Sequence, residues 1–244
     1  MLAAGGLGVS AVVWHDVECG GYLEDVALWR ELAAAANGPV LDVGAGTGRI
    51  ALDLAAQGIE VVALDTDPVL LAALDERAAA AGLTVTTVCA DARDFDLGDV
   101  RFGLVAVPMQ TLQLLGGADG RAGFLRSAAR HLRPGGAVAA ALADALDSFD
   151  GASDGLPDPD VATVDGLTYS SLPLAVVDEG DHAAIHRLRQ VNGFEEHDVI
   201  RLARVSPAEV AEEAEAVGLT PEAARRIPAT DVYVGSTVVV LRGA

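Results

Sequence analysis

Leu41-Asp42-Val43-Gly44-Ala45-Gly46-Thr47-Gly48 decides the fold of this 244-residue chain. Val40–Val43 is a short apolar run, the glycines after it call for a tight turn, and residues 49–57 read as a helix. Glycine permits positive φ and lets a ligand approach the backbone with no Cβ in the way. The helix behind presents free N–H groups. Asp65 stands seventeen residues after Gly48 and ends the next strand, at the neighbouring position along the sheet edge. A carboxylate there can accept two hydrogen bonds from a ribose diol. Together these pieces describe a nucleoside site outside the carboxyl ends of the strands.

Working outward, residues 60–65, 84–88, 102–107 and 136–142 continue the series of short buried strands. Residues 68–81 and 121–132 read as helices between them. Asp67 before Pro68 is an N-cap followed by proline at the first helical position, and Gly82 closes that helix at C′. Such alternation implies a parallel sheet with right-handed crossovers. Before it, residues 22–36 have helical composition and stop at Asn37-Gly38. After it, residues 144–166 are rich in Asp, Gly and Pro and read as an exposed acidic loop. Residues 169–177, 182–192 and 198–205 then read as an antiparallel set, with turns at Glu179-Gly180-Asp181 and around Gly193. Ser206-Pro207-Ala208-Glu209 is a capping box opening a helix that ends near Gly218, and residues 233–241 form a last strand.

Half of the residues are apolar, enough for a full core without disulfides or metal. Cys19 and Cys89 have no paired spacing, which fits a reducing, cytoplasmic setting. Asp and Glu outnumber Lys and Arg by 36 to 16, for a formal charge of −20. That surface repels phosphate backbones and anionic membranes, so neither nucleic acid nor membrane is an expected partner. The uncharged start, residues 1–14, has no basic n-region and is interrupted by glycines, unlike a signal peptide. His182 and His186 share a face of a strand but have no third ligand nearby, so no metal site is expected.

Two ligand classes compete for the glycine turn. A pyrophosphate-binding dinucleotide fingerprint is G-x-G-x-x-G, whereas the spacing here is G-x-G-x-G. Asp42, two positions before the first glycine, would repel pyrophosphate and suit a ligand bearing an ammonium group. The residues lean toward a cationic, amino-acid-bearing nucleoside; a dinucleotide oxidoreductase is the disfavoured alternative.

Asp42 to Gly48 resembles the first signature of the class I S-adenosylmethionine (SAM)-dependent methyltransferases. Val61-Val62-Ala63-Leu64-Asp65 resembles their second-strand signature, Cys89-Ala90-Asp91-Ala92 the segment after the third strand, and Leu132-Arg133-Pro134-Gly135-Gly136 the turn into the fifth. The resemblance implies a three-layer αβα Rossmann-like fold with a mostly parallel seven-stranded sheet and an antiparallel insert after strand 5. It divides the chain into an N-terminal helical lid (1–37), a SAM-binding core (38–143), the acidic loop and insert (144–205) and a C-terminal helix and strands completing the core (206–244).

By the same resemblance Gly44, Ala45 and Gly46 line the methionine moiety, within a motif that ends at Gly48, and Asp65 binds the ribose. Thr66 and Asp67 flank the adenine, Asp91 beside Ala92 reads its amino group, and Val107 to Gln110 lie below the sulfonium. Tyr22, in a Tyr-x-x-Asp segment leading to Trp29, resembles a lid tyrosine. SAM would be the cofactor and S-adenosylhomocysteine (SAH) the product.

Methyl transfer needs a base only where the acceptor is protonated at working pH. His15, Asp16 and Tyr22 of the N-terminal segment and His186 of the insert are the candidate bases. Val107-Pro108-Met109-Gln110 is not the Asn/Asp-Pro-Pro-aromatic signature of enzymes acting on planar amino groups, nor does it supply the Asp of a catechol-type metal site. What remains resembles the small-molecule N- and O-methyltransferases, in which an insert of this kind shapes the acceptor pocket or a homodimer contact. The alternative is a methyltransferase-like partner or regulatory protein that binds SAM or SAH without turnover.

Overall fold

The computed structural model describes residues 11–143, 149–230 and 233–244. In chain order it contains α1 (Ala11–His15), running into a π-turn (Asp16–Gly20), α2 (Val26–Ala35), β1 (Val40–Val43), α3 (Arg49–Ala56), β2 (Val61–Asp65) and α4 (Pro68–Ala81). There follow β3 (Thr86–Cys89), β4 (Phe102–Val107), α5 (Gly117–His131), β5 (Leu132–Ala143), β6 (Phe149–Asp150), α6 (Gly151–Asp154), β7 (Asp160–Val164) and β8 (Leu167–Asp178). The chain continues with β9 (His182–Val191), β10 (Phe194–Ala203), α7 (Pro207–Glu215), β11 (Thr220–Pro221), β12 (Arg225–Ile227) and β13 (Ser236–Arg242).

The main sheet runs β11-β13-β5-β4-β1-β2-β3, with β12 also paired to β13. The pairs from β5 to β3 are parallel and β13 enters antiparallel. This is the expected Rossmann-like sheet of seven strands, plus β12, which shares the outer edge of β13 with β11. Side chains alternate between the two faces as the pleat requires. Leu41, Val43, Val105, Val138 and Ala140 pack toward α5 and α7. Val40, Leu104, Ala106, Ala137, Ala139 and Ala141 pack toward α2, α3 and α4. Asp42 lies between Leu41 and Val43 and so points to the second face, where the helices carry the cofactor-type loop.

β8 joins β9, β9 joins β10, and β6 and β7 pair with β8 in a second, wholly antiparallel sheet. It differs from expectation in two places. The stretch read as one acidic loop contains β6, α6 and β7; its residues 144–148 lie outside the described residues. The alternation Asp160-Val161-Ala162-Thr163-Val164 is short enough to be hidden by the surrounding Asp, Gly and Pro, and Asp165-Gly166, both at positive φ, turns it back onto β8. β10 starts at Phe194 rather than at 198 because Asn192-Gly193 is itself a two-residue turn with φ of 48° and 80°. The polar run Glu195-Glu196-His197 masks that part of the strand. No described helix is long and apolar enough to cross a membrane.

Candidate active site

The floor is the end of β1 and the loop after it. Gly44 and Ala45 donate their amides to the Leu64 carbonyl at 2.8 and 3.1 Å, and Gly46 donates to Asp65 Oδ2 at 2.8 Å. Asp65 Oδ1 accepts from the Asp67 amide at 2.9 Å. Three successive loop amides are thereby engaged within the protein, leaving none of them for a pyrophosphate. Gly44, Gly46 and Gly48 have φ of 71°, 53° and 96°, where a side chain is strained. A Cβ at Gly44 would lie 2.6 Å from Thr111, and one at Gly46 would lie 2.2 Å from His15 Nε2.

Above this floor is a cavity of about 450 Å³, inside the roughly 300–1,000 Å³ range of small-molecule sites. Asp42 lines it with 1% of its surface exposed and neither carboxylate oxygen hydrogen-bonded. Burial pushes its pKa up to about 7, against the pull of the Arg49 guanidinium and the Ala51 amide. An orphaned buried acid is costly unless something pairs with it. Arg49 lines the same cavity. It is held by Asp25 in a two-toothed pair at 2.5 and 2.8 Å and by the Tyr22 carbonyl at 2.8 Å, while Trp29 Nε1 donates to Asp25 at 2.8 Å. Acid and guanidinium at one end, with glycine backbone between, form a cradle that fits a zwitterionic amino-acid group.

The N-terminal segment forms the roof. Asp16 accepts from both Arg77 nitrogens at 3.0 and 2.5 Å and from Thr47 Oγ1 at 2.8 Å. Burial opposes ionisation of Asp16, but these donors outweigh it and hold its pKa below the usual value. Because Thr47 gives its proton to Asp16, its oxygen is free to accept from His15 Nδ1, 3.3 Å away. Nε2 is then the basic nitrogen of His15. Burial lowers the His15 pKa against the opposing pull of Asp16 and Asp65, keeping the ring neutral near pH 7. Two residues after Asp16, Glu18 turns the other way and accepts from Ser171 Oγ at 2.7 Å and Arg189 at 2.7 and 2.8 Å. Trp14 stands edge-on to Tyr169, with centroids 5.4 Å apart. The segment thus ties the core to the second sheet.

Of the residues singled out from sequence, Asp42, Gly44, Ala45, Asp65, Thr66, Asp91, Ala92, Gln110 and His15 line the cavity. Val107 is buried at the end of β4 behind Pro108 and Met109, which do line it. Gly46 and Gly48 shape the loop without lining the cavity. Asp67 caps α4, accepting from Val69 and Leu70, and is absent from the lining. Asp91 caps the following 3-10 turn through the Arg93 amide and is gripped by the Arg93 guanidinium at 2.6–3.0 Å, which holds its pKa low. Tyr22 packs edge-on to Tyr233 with Arg49 over its ring, and His186 sits within β9; neither lines the cavity.

As site residues, sequence reasoning passed over Arg49, Cys19 and Thr111, all of which line the cavity. Arg49 carried a signal: a cation in the first turn of a helix opposes the helix dipole. Met109, inside the stretch expected below the sulfonium, takes φ of 55°, strain of the kind held at functional sites, and nothing in its sequence context announces that conformation. Burial pushes the Cys19 thiol up to about 11, which removes it as a nucleophile.

Residues 40–136 match the family model described as a methyltransferase domain. The cypemycin N-terminal methyltransferase of a Streptomyces species is 37% identical over 99 residues, 41% of this chain and 39% of that relative, so the likeness spans about two-fifths of its length. The solved CcbJ methyltransferase from Streptomyces caelestis is 27% identical, with 92% of this chain and 98% of that one covered at a TM-score of 0.69. A SAM-bound amino pentose methyltransferase from Micromonospora echinaspora, 22% identical, shares the fold over 95% of this chain and 97% of its own at a TM-score of 0.72. Residues 40–136 thus match a methyltransferase domain, and the chain as a whole shares the Rossmann-like fold of the solved SAM-dependent methyltransferases.

Proposed function

We propose that the chain transfers the methyl group of SAM to an N or O atom of a small molecule, and that an amine nitrogen is the acceptor its site suits best. The observation that carries this reading is Asp42, a buried carboxylate without a partner on the wall of the cavity. Asp42 would meet the ammonium and Arg49 the carboxylate of the methionine moiety. Asp65, its orientation preset by Gly46 and Asp67, would accept the ribose hydroxyls, and Asp91 would read the adenine amino group. The sulfonium, when bound, supplies a methyl group already activated for in-line displacement. The protein then contributes alignment, worth up to ~7–11 kcal/mol in ideal cases, and exclusion of water.

His15 is the candidate base: a neutral imidazole can assist the loss of a proton from an ammonium or a hydroxyl acceptor as it reacts. The relative named as an N-terminal methyltransferase agrees with nitrogen. The insert would wall the acceptor side, since Glu18 docks the roof on β8 and β9. One observation favours a second reading, binding without turnover: His15 Nε2 lies over Gly46, so the base must shift before it can reach an acceptor.

Calorimetry with SAM, SAH and NAD, with Asp65→Ala alongside, tests the cofactor; the two adenosyl ligands should bind and the variant should lose them. Labelled SAM with panels of primary and secondary amines and of alcohols then tests the acceptor. Binding of NAD alone would overturn the assignment. Transfer to alcohols only would remove the amine, and tight SAH binding with no transfer in either panel would favour the non-catalytic reading.

A further inference from the structure

All sixteen cationic side chains of this chain are arginines. Eleven meet a carboxylate among the described residues. Arg101 and Arg133 turn to backbone carbonyls. Arg126 has no partner among the described residues, and Arg130 reaches only Ser127 Oγ at 3.1 Å and the Phe95 carbonyl at 3.5 Å. Carboxylates outnumber cations by 36 to 16 in this chain, yet Arg126 and Arg130 both stand without one, and both face the same cavity of about 490 Å³.

Arg126 and Arg130 are one turn apart on α5, on one face of the helix. Arg93 joins them from the turn Ala92–Asp94. Close packing delivers it there: a Cβ at Gly123 would lie 2.6 Å from the Arg93 carbonyl, and one at Gly120 3.3 Å from Arg93 Cδ. Only glycines let the turn lie against the helix. Asp94 and Asp119 also line the cavity, so three guanidinium groups stand against two carboxylates. Guanidinium forks arriving from a helix and a separate turn suit an oxyanion with several acceptor oxygens; a planar carboxylate is already satisfied by one fork.

We propose that this cavity is a binding site for a phosphate-bearing small molecule. It adjoins the cofactor cleft, because Arg93 and Leu115 line both. An anion that draws on Arg93 competes with Asp91 for the same guanidinium and so alters the end of the cleft assigned to adenine. That coupling, unlike the anion site itself, rests on the cofactor reading above.

The test is calorimetric titration of the full chain with inorganic pyrophosphate at constant ionic strength. Saturable binding is expected, weakened at least tenfold in Arg126→Ser/Arg130→Ser and unchanged in Arg201→Ser/Arg225→Ser, which removes the same charge elsewhere. Both arginines of the pair are exposed, and unchanged circular dichroism checks the fold; Arg126→Gln alone serves if the double variant does not fold. Equal loss in both double variants means general charge attraction and overturns the site, as does absence of saturable binding to the wild type. SAH affinity measured with and without pyrophosphate then tests the coupling. A change of threefold or more supports it, and no change removes the coupling while the site stands on its own titration.

Discussion

Two buried aspartates with different surroundings set the chemistry at the scale of single residues. Asp25 has no exposed surface, yet Arg49 and Trp29 satisfy it. Asp42 is equally buried, and neither of its carboxylate oxygens has a close hydrogen-bond donor. Its pKa rises from 3.8 to about 7 because burial disfavours the charged form. The folded state therefore binds a proton that the unfolded chain has lost between those values, so the contribution of Asp42 to stability falls as pH rises from about 4 to about 7. The shift corresponds to a cost on the order of 4 kcal/mol. Asp42→Asn, neutral at every pH, should match the wild type near pH 4 and exceed it in urea melts near pH 8. It should also bind SAM at least tenfold more weakly, since it offers no charge to an ammonium. Parallel stability curves across that range would sink the assignment.

Among the elements, those whose ends carry their own capping chemistry follow the sequence most closely. Residues 68–81 form a helix over the expected span because Asp67 caps the Val69 and Leu70 amides and Gly82 closes it at φ of 66°. At α7, Ser206 Oγ accepts from the Glu209 amide at 3.2 Å while Glu209 Oε2 accepts from the Ser206 amide at 2.7 Å. Ser206→Ala should lower stability by about 1 kcal/mol in denaturant melts, with little effect on SAH affinity because the box lies outside the cavity lining. The N-terminal segment is the opposite case. Its helix and π-turn have too few periodic residues to be recognised, and its position depends on ion pairs with Arg77 and Arg189, far away in sequence.

At the scale of the whole molecule, the same ten residues bridge the parallel sheet and the antiparallel one. Asp16 and His15 face the glycine loop; Glu18 and Trp14 face β8 and β9. A second tie is Gln113, which donates to the Ala203 carbonyl at 3.2 Å and accepts from the Ala143 amide at 2.9 Å, joining β10 to the end of β5. A ligand that closes the roof over the loop must therefore also steady the second sheet. Hydrogen exchange should slow together in residues 11–20 and in β8 and β9 when SAH is added. In Glu18→Gln the protection of β8 and β9 should be lost while that of the glycine loop persists; protection confined to the loop in the wild type would refute the bridge.

The sequence by itself determined the parallel core, the strands that compose it, the glycine turn and the acids at its rim. Each follows from local periodicity, from caps, or from a conformation that only glycine adopts, as at Gly44 and Gly46. The second sheet was legible in outline, less its most polar strand segments. Tertiary structure alone decided which acid is left unpaired and that His15 rather than Tyr22 or His186 reaches the cavity. Those outcomes depend on partners thirty to more than a hundred and fifty residues away, such as Asp16 with Thr47 and Glu18 with Ser171. Burial and pairing are properties of the packed molecule, and no local pattern encodes them.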